Sequence, residues 1–222
     1  PVYTKFLSAS SYGIADLIST YVSLLVPLAT LQQDAATFRY LIDARESEEK
    51  IKKVITTSIF NIFKFLFIFI CLYFIFISFV KIDYAYYVLL NIIAVAFSNL
   101  FSQISRGLGK NIHYAISGFI TGIVMISLNI VFIVIFKMQV EGMILSLIIA
   151  NIACVIYLFF VLKIYKYMSF KTDKSLRKKM LKYSIPLVPD SVSWWIVTAS
   201  DRTVVSLFLG AVANGIYAVA NR

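Results

Sequence analysis

Asp16, Thr20, Ser23, Pro27, Thr30 and Asp34 recur at steps of three and four through an otherwise apolar stretch. Those steps return them to one face of an α-helix. Two carboxylates and three hydroxyls on one stripe suit a wall in contact with water, a cation or a proton. Facing lipid instead, an aspartate at a helix centre costs about 2.5–3.5 kcal/mol on the insertion scale. The stripe therefore predicts a helix lining a water-filled cavity. The competing reading puts both aspartates at the membrane interfaces and leaves the hydroxyls to pack helices.

A second group lies near the other end of the chain. At about 100° per residue, Ser184, Asp190, Ser191, Trp194, Trp195, Thr198, Asp201 and Arg202 fall within a sector of about 140°. Pro186 and Pro189 remove backbone donors and predict a kink or break just before Asp190. Broken helices carrying ionisable groups mark transporter sites. Against that, Trp194 and Trp195 also fit interfacial anchors, and Asp201 and Arg202 also fit a pair neutralising each other near the outer surface.

Three further cations have two readings each. Lys64 either snorkels to the cytoplasm or faces the cavity, while Arg39 and Arg106 are either solvated at cytoplasmic helix ends or contact phosphate. His113 reads as an interfacial residue, and Asn129 and Asn151 as interhelical hydrogen-bond formers. Gly118 and Gly122, four apart, predict a close helix approach within the bundle. Catalytic constellations are absent: the single histidine has no ligand partner, and neither a Gly-x-Ser-x-Gly elbow nor a P-loop occurs. Cys71 and Cys154 lie inside apolar runs, which gives no disulfide framework and no zinc spacing. The sequence predicts no enzyme, no metal site and no bound cofactor beyond a coupling proton or sodium ion.

The elements that must position these groups follow from composition. Hydrophobic residues make up 60% of the 222 and charged ones 14%, with mean hydropathy +0.86. Soluble domains carry about 45–50% and about 25%, so the chain reads as an all-α polytopic membrane protein. A bilayer core of about 30 Å needs about 20 apolar residues of helix. The candidates are 12–31, 54–80, 84–105, 111–136, 142–162 and 181–209, with a seventh apolar segment at the end.

The net charge of +10 is assigned to loops, not to nucleic acid. Arg39, Arg45, Lys50, Lys52, Lys53, then Arg106 and Lys110, then Lys163, Lys166, Lys171, Lys174, Arg177, Lys178, Lys179 and Lys182 occupy alternate connections. Only Lys5, Lys81 and Lys137 lie on the other side. By the positive-inside rule the first group is cytoplasmic, and residues 1–11 are outside.

An internal repeat adds to this. Phe, Leu, Ala, Gly and Ile of residues 6–14 recur at 208–216, an offset of 202 residues. Six spans separate the copies, so both enter inward-running helices, as a parallel repeat requires. The expected organisation is a six-helix lobe over 1–162 whose first helix is missing, a basic cytoplasmic linker over 163–180, and the start of a second lobe over 181–222. The opening Pro1 and the apolar end at Arg222 read as those of a fragment.

The run Tyr183-Ser-Ile-Pro-Leu-Val-Pro-Asp-Ser-Val-Ser-Trp-Trp195, then Ala199-Ser-Asp-Arg202, then Leu209-Gly-Ala with Gly215-Ile-Tyr217-Ala closely resembles the polysaccharide-biosynthesis membrane proteins. These are the lipid-linked oligosaccharide flippases, of O-antigen type, of the multidrug/oligosaccharidyl-lipid/polysaccharide (MATE-like) exporter superfamily. Tyr3-Thr-Lys-Phe-Leu-Ser, Tyr12-Gly-Ile, Asp16 and Ala35-Ala-Thr-Phe-Arg39 are similar to their first loop and second helix.

The resemblance implies two lobes around a central cavity in a bacterial plasma membrane. It implies as cargo an oligosaccharide on a polyprenyl diphosphate, moved outward for surface-polysaccharide assembly, with membrane lipids and polysaccharide polymerase or assembly proteins as partners. Arg39, Lys64, Arg106 and Arg202 would meet the diphosphate, Trp194 and Trp195 the sugars, and Asp16, Asp190 or Asp201 a proton. A drug/cation antiporter or a peptidoglycan-precursor flippase of the same superfamily remains open, as does a multi-span polymerase or glycosyltransferase. A structural scaffold, the third class, would have no accessible polar cavity.

Overall fold

The computed structural model describes residues 8–81, 83–169 and 172–220. Lys5, Lys171, Arg222, the Tyr3–Leu7 part of the family-like opening, the first two residues of the repeat and the Thr198 side chain fall outside the described ones. Among the described residues the chain is helical throughout, with no strand.

Helix α1 spans Ala9–Thr30 and starts at Ser8, whose hydroxyl accepts from the Ser11 N–H at 3.0 Å. Leu31 and Gln32 both sit in the left-handed region, φ 50° and 54°, and end it. Short helix α2, Gln33–Ala44, follows at once. Helix α3, Glu48–Phe79, begins at an Ser47 cap with Glu48 and Glu49 in its first turn, where carboxylates oppose the positive helix end. Helix α4 is Ala85–Gly107, and α5 is Asn111–Asn129, running into a π-helical turn over Ile130–Ile135. Helix α6 is Val140–Val161, and α7, Lys174–Ser184, starts at an Asp173 cap. Helix α8 is Leu187–Ala220.

Five of these helices are long and apolar enough to cross a membrane, or six if the segments Lys174–Val197 and Ala199–Ala218, bent by 49° to each other, count as one span. The protein is an all-α, multi-pass membrane protein. Its core lies where α6 packs between α4 and α5, where α2 packs on α3 and α4, and along the contact of α1 with α8. The largest fully buried side chains include Leu41, Ile62, Ile92, Leu100, Ile144 and Leu158. Helices α3 and α5 expose most of their apolar surface, as lipid-facing helices do.

Helix α8 is two limbs. Gly210 has φ 83° and ψ 172°, and the Tyr217 hydroxyl donates to the Asp201 carboxylate. Sixteen residues of straight helix would hold those groups about 24 Å apart, so the chain doubles back at Gly210. The return limb then presses on the first turns of α1. A methyl group added at Gly13 would overlap the Ala211 carbonyl oxygen and lie 2.8 Å from the Gly215 nitrogen. One added at Gly215 would overlap the Ala9 carbonyl oxygen. The Asn214 amide donates to the Gly13 carbonyl at 3.0 Å, fixing the crossing.

Several local expectations are corrected. The break falls at Ile185–Pro186, not just before Asp190: Pro189 occupies the first turn of α8, where its missing N–H has no helical acceptor to lose. No group comes within 4 Å of a methyl built at Gly118 or Gly122, so the close approach expected there occurs at Gly13 and Gly215 instead. Asn151 donates to Leu147 of its own helix at 2.9 Å, not to a neighbour. Lys50, Lys52 and Lys53 lie in α3, which starts six residues before the expected span.

Candidate functional site

The two polar stripes meet. Asp16 on α1 and Arg202 on the first limb of α8 form an ion pair at 2.8 Å, their side chains 2% and 28% exposed. Two helical turns earlier on α8, the Trp195 indole N–H donates to the Thr20 carbonyl at 2.9 Å, and its ring stacks on Tyr21 with centroids 6.3 Å apart. Both contacts fasten the same two helices. Arg202 does not neutralise Asp201 through its guanidinium. Its backbone N–H donates to that carboxylate at 2.8 Å, while the side chain crosses to Asp16.

The stripe on α1 borders two cavities. Asp16 and Ser19 line one of about 70 Å³, together with Tyr12, Met125, Asn129 and Met143. Ser23, Pro27, Thr30 and Asp34 line another of about 210 Å³, completed by Gln32 and Asn99. Pro27 has no N–H to give the Ser23 carbonyl, which adds a polar atom at that wall. Asp34 lies past the end of the span. Burial pushes its carboxyl above the usual range, against the lowering pull of its own and the Ala35 N–H.

The other candidates stay apart from this centre. Asp190 is exposed and Trp194 is 68% exposed, so the paired tryptophans diverge: Trp195 is buried and Trp194 points away. Arg39 is exposed and bridges Asp43 at 2.7 Å, which raises the pKa of its guanidinium, chiefly through that hydrogen bond. Lys64 is exposed among Phe60, Phe63 and Phe67 on the outer face of α3. The Arg106 guanidinium lies over the rings of Phe38 and Tyr114, 4.9 and 5.3 Å from their centroids. Beside it a cleft of about 450 Å³ is lined by Ser98, Ser102, Tyr114, Ser117, Thr121 and Cys154.

Sequence reasoning missed a buried polar network. Gln33 donates to the Ser184 hydroxyl at 2.6 Å and accepts from Asn61 at 2.9 Å, and all three residues are fully buried. Gln32 donates to Ser191. Glutamine between two helices reads as a loop residue in sequence. Only the left-handed turn at Leu31 and Gln32 aims these amides at α3, α7 and α8. His113 pairs with the Tyr157 hydroxyl at 3.1 Å, and among the described residues no group of three His, Cys, Asp or Glu side chains is placed to hold a metal ion.

No curated protein and no solved structure matches the chain. A family model does, described as "Polysaccharide biosynthesis protein", over residues 1–222. An all-helical, multi-pass bundle with charged and aromatic groups inside its spans fits that match, and the chain belongs to the polysaccharide biosynthesis protein family.

Proposed function

We propose that this protein moves a polyprenyl-diphosphate-linked oligosaccharide across a bacterial plasma membrane, from the cytoplasmic to the outer leaflet, as a transporter and not an enzyme. The observation that carries the reading is the outward face of α8, where Asp190, Trp194 and Asp201 are all exposed on a helix within the apolar part of the chain. Two carboxylates against lipid would cost about 5–7 kcal/mol on the insertion scale, so this face borders water or cargo. An exposed indole there offers a stacking surface to a sugar ring. Arg202, Arg106, Arg39 and Lys64 supply cations for a diphosphate.

The lobes are part of the proposal: 1–162 as the first, 163–180 as the cytoplasmic linker, 181–222 as the start of the second. The contact of Ala9 and Gly13 with Ala211 and Gly215 supports it. These are the repeated positions themselves, and they meet reciprocally, as related halves do about a two-fold axis.

Loss of the whole protein is expected to abolish a surface polysaccharide and strand lipid-linked units on the inner leaflet. In complementation at matched protein levels, Trp194→Ala is expected to reduce export more than Trp194→Phe. Normal polysaccharide with altered drug sensitivity would instead identify an antiporter.

A further inference from the structure

The segment that follows α6 is fastened to α2 and α3 at both of its ends. Thr56 on α3 donates to the Tyr167 carbonyl at 2.7 Å, and Gln33 on α2 donates to Ser184 on α7 at 2.6 Å. Leu176, Met180 and Ser184 recur every four residues along α7 and face the bundle, Met180 and Ser184 fully buried. One flank of α7 thereby closes a cleft of about 410 Å³ with α2 and α3, lined by Tyr40, Asp43, Lys50, Lys53, Ser175 and Lys179 among others. Ligand pockets run from about 300 to about 1,000 Å³, so the cleft is large enough for a headgroup-sized molecule.

We propose that this cleft binds the headgroup of one anionic phospholipid of the cytoplasmic leaflet, its phosphodiester held between Lys50 and Lys179. Most other charges there are already matched. Arg39 bridges Asp43 and Lys53 bridges Glu49, each at 2.7 Å, and Asp173 accepts the Leu176 N–H at 3.0 Å. Lys50 and Lys179 are exposed and form no ion pair among the described residues. Set beside the one remaining carboxylate, Asp173, they leave a single excess positive charge, which the single negative charge of a phosphodiester balances. A zwitterionic headgroup would add an ammonium beside two that lack partners. The Tyr40 and Ser175 hydroxyls line the same cleft and are neutral donors for phosphate oxygens. Depth selects the membrane as the source. A bilayer with its headgroups is about 40–45 Å thick. Helix α3, with 32 residues, is about 48 Å long, so its first turns, with Lys50 and Lys53, lie at headgroup level. By the positive-inside rule that end is cytoplasmic, where anionic lipids are drawn to basic pockets between helices. Headgroup binding here does not depend on the cargo.

The test uses the full-length protein in a non-ionic detergent, without cargo. At constant ionic strength it is titrated with short-chain phosphatidylglycerol, with phosphatidylcholine of the same chains, and with inorganic phosphate. The thermal midpoint and the lipid retained in native mass spectrometry are read. Phosphatidylglycerol is expected to raise the midpoint saturably and to stay bound, and the other two to do neither. Lys50→Gln/Lys179→Gln is expected to raise the half-saturating concentration at least about tenfold, while Lys50→Arg/Lys179→Arg keeps the response. Lys174→Gln/Lys178→Gln removes the same charge from the face of α7 turned away from the bundle and is expected to change nothing, which separates a site from general attraction to a basic surface. Equal losses in the two glutamine double variants would overturn the proposal, as would equal stabilisation by phosphatidylcholine. Stabilisation by inorganic phosphate alone would give the cleft to a soluble anion and overturn the lipid.

Discussion

The two partners of the Asp16–Arg202 pair are unequal. Arg202 reaches solvent in part and has Asp201 beside it, whereas Asp16 is sealed between α1, α8 and its small cavity. Removing one member of a buried pair costs about 3–5 kcal/mol when the other is left charged and unsolvated. Arg202→Gln is therefore expected to lower the thermal midpoint strongly and Asp16→Asn less. The double variant Asp16→Asn/Arg202→Gln is expected to recover part of the Arg202→Gln loss, because no uncompensated charge remains. A thermal-unfolding double-mutant cycle measures the coupling, and additive losses would show that the pair is not coupled.

At the scale of elements, the α1–α8 contact depends on absent side chains. The Cβ of an alanine at Gly215 would overlap the backbone carbonyl of Ala9, and a backbone atom cannot rotate away as a side chain does. Gly215→Ala is expected to push the helices apart and destabilise by about 1–3 kcal/mol, the usual cost of overpacking. Gly118→Ala on α5, where the added methyl meets nothing within 4 Å, is expected to be neutral or to stabilise by up to about 1 kcal/mol through helix propensity. Thermal midpoints of the two variants in detergent check both, and equal effects would mean that the crossing is looser than its geometry.

For the whole molecule, orientation follows from charge and helix length together. Helix α3 has 32 residues, about 48 Å, against a hydrocarbon core of about 30 Å, so its first turns, with Lys50, Lys52 and Lys53, project from the membrane. Single cysteines at Lys50 and Lys174 are expected to react with an impermeant thiol reagent only from the cytoplasmic side, and those at Lys81 and Lys137 only from the outside. One reversed position would break the alternation on which the arrangement of the lobes depends.

The sequence by itself determined the solvent, the membrane spans and the polar face of α1 from Asp16 to Thr30; Asp34, expected on the same face, falls on α2 beyond the left-handed turn at Leu31 and Gln32. Hydropathy and the periodicity of Asp16 through Thr30 are local properties, and a bilayer penalises any departure from them. The family-like run 183–217 was equally legible, because motifs survive without coordinates. Only the tertiary structure decided which partners meet. That Arg202 crosses to Asp16, that Trp195 turns inward while Trp194 faces out, and that Gln33, Asn61 and Ser184 join across three helices all depend on rotations of helices about their own axes. The reversal at Gly210 depends on one residue's backbone angles. Apolar faces that differ little in hydropathy do not set those rotations; close packing at Gly13 and Gly215, and the need to pair every buried charge and amide, do.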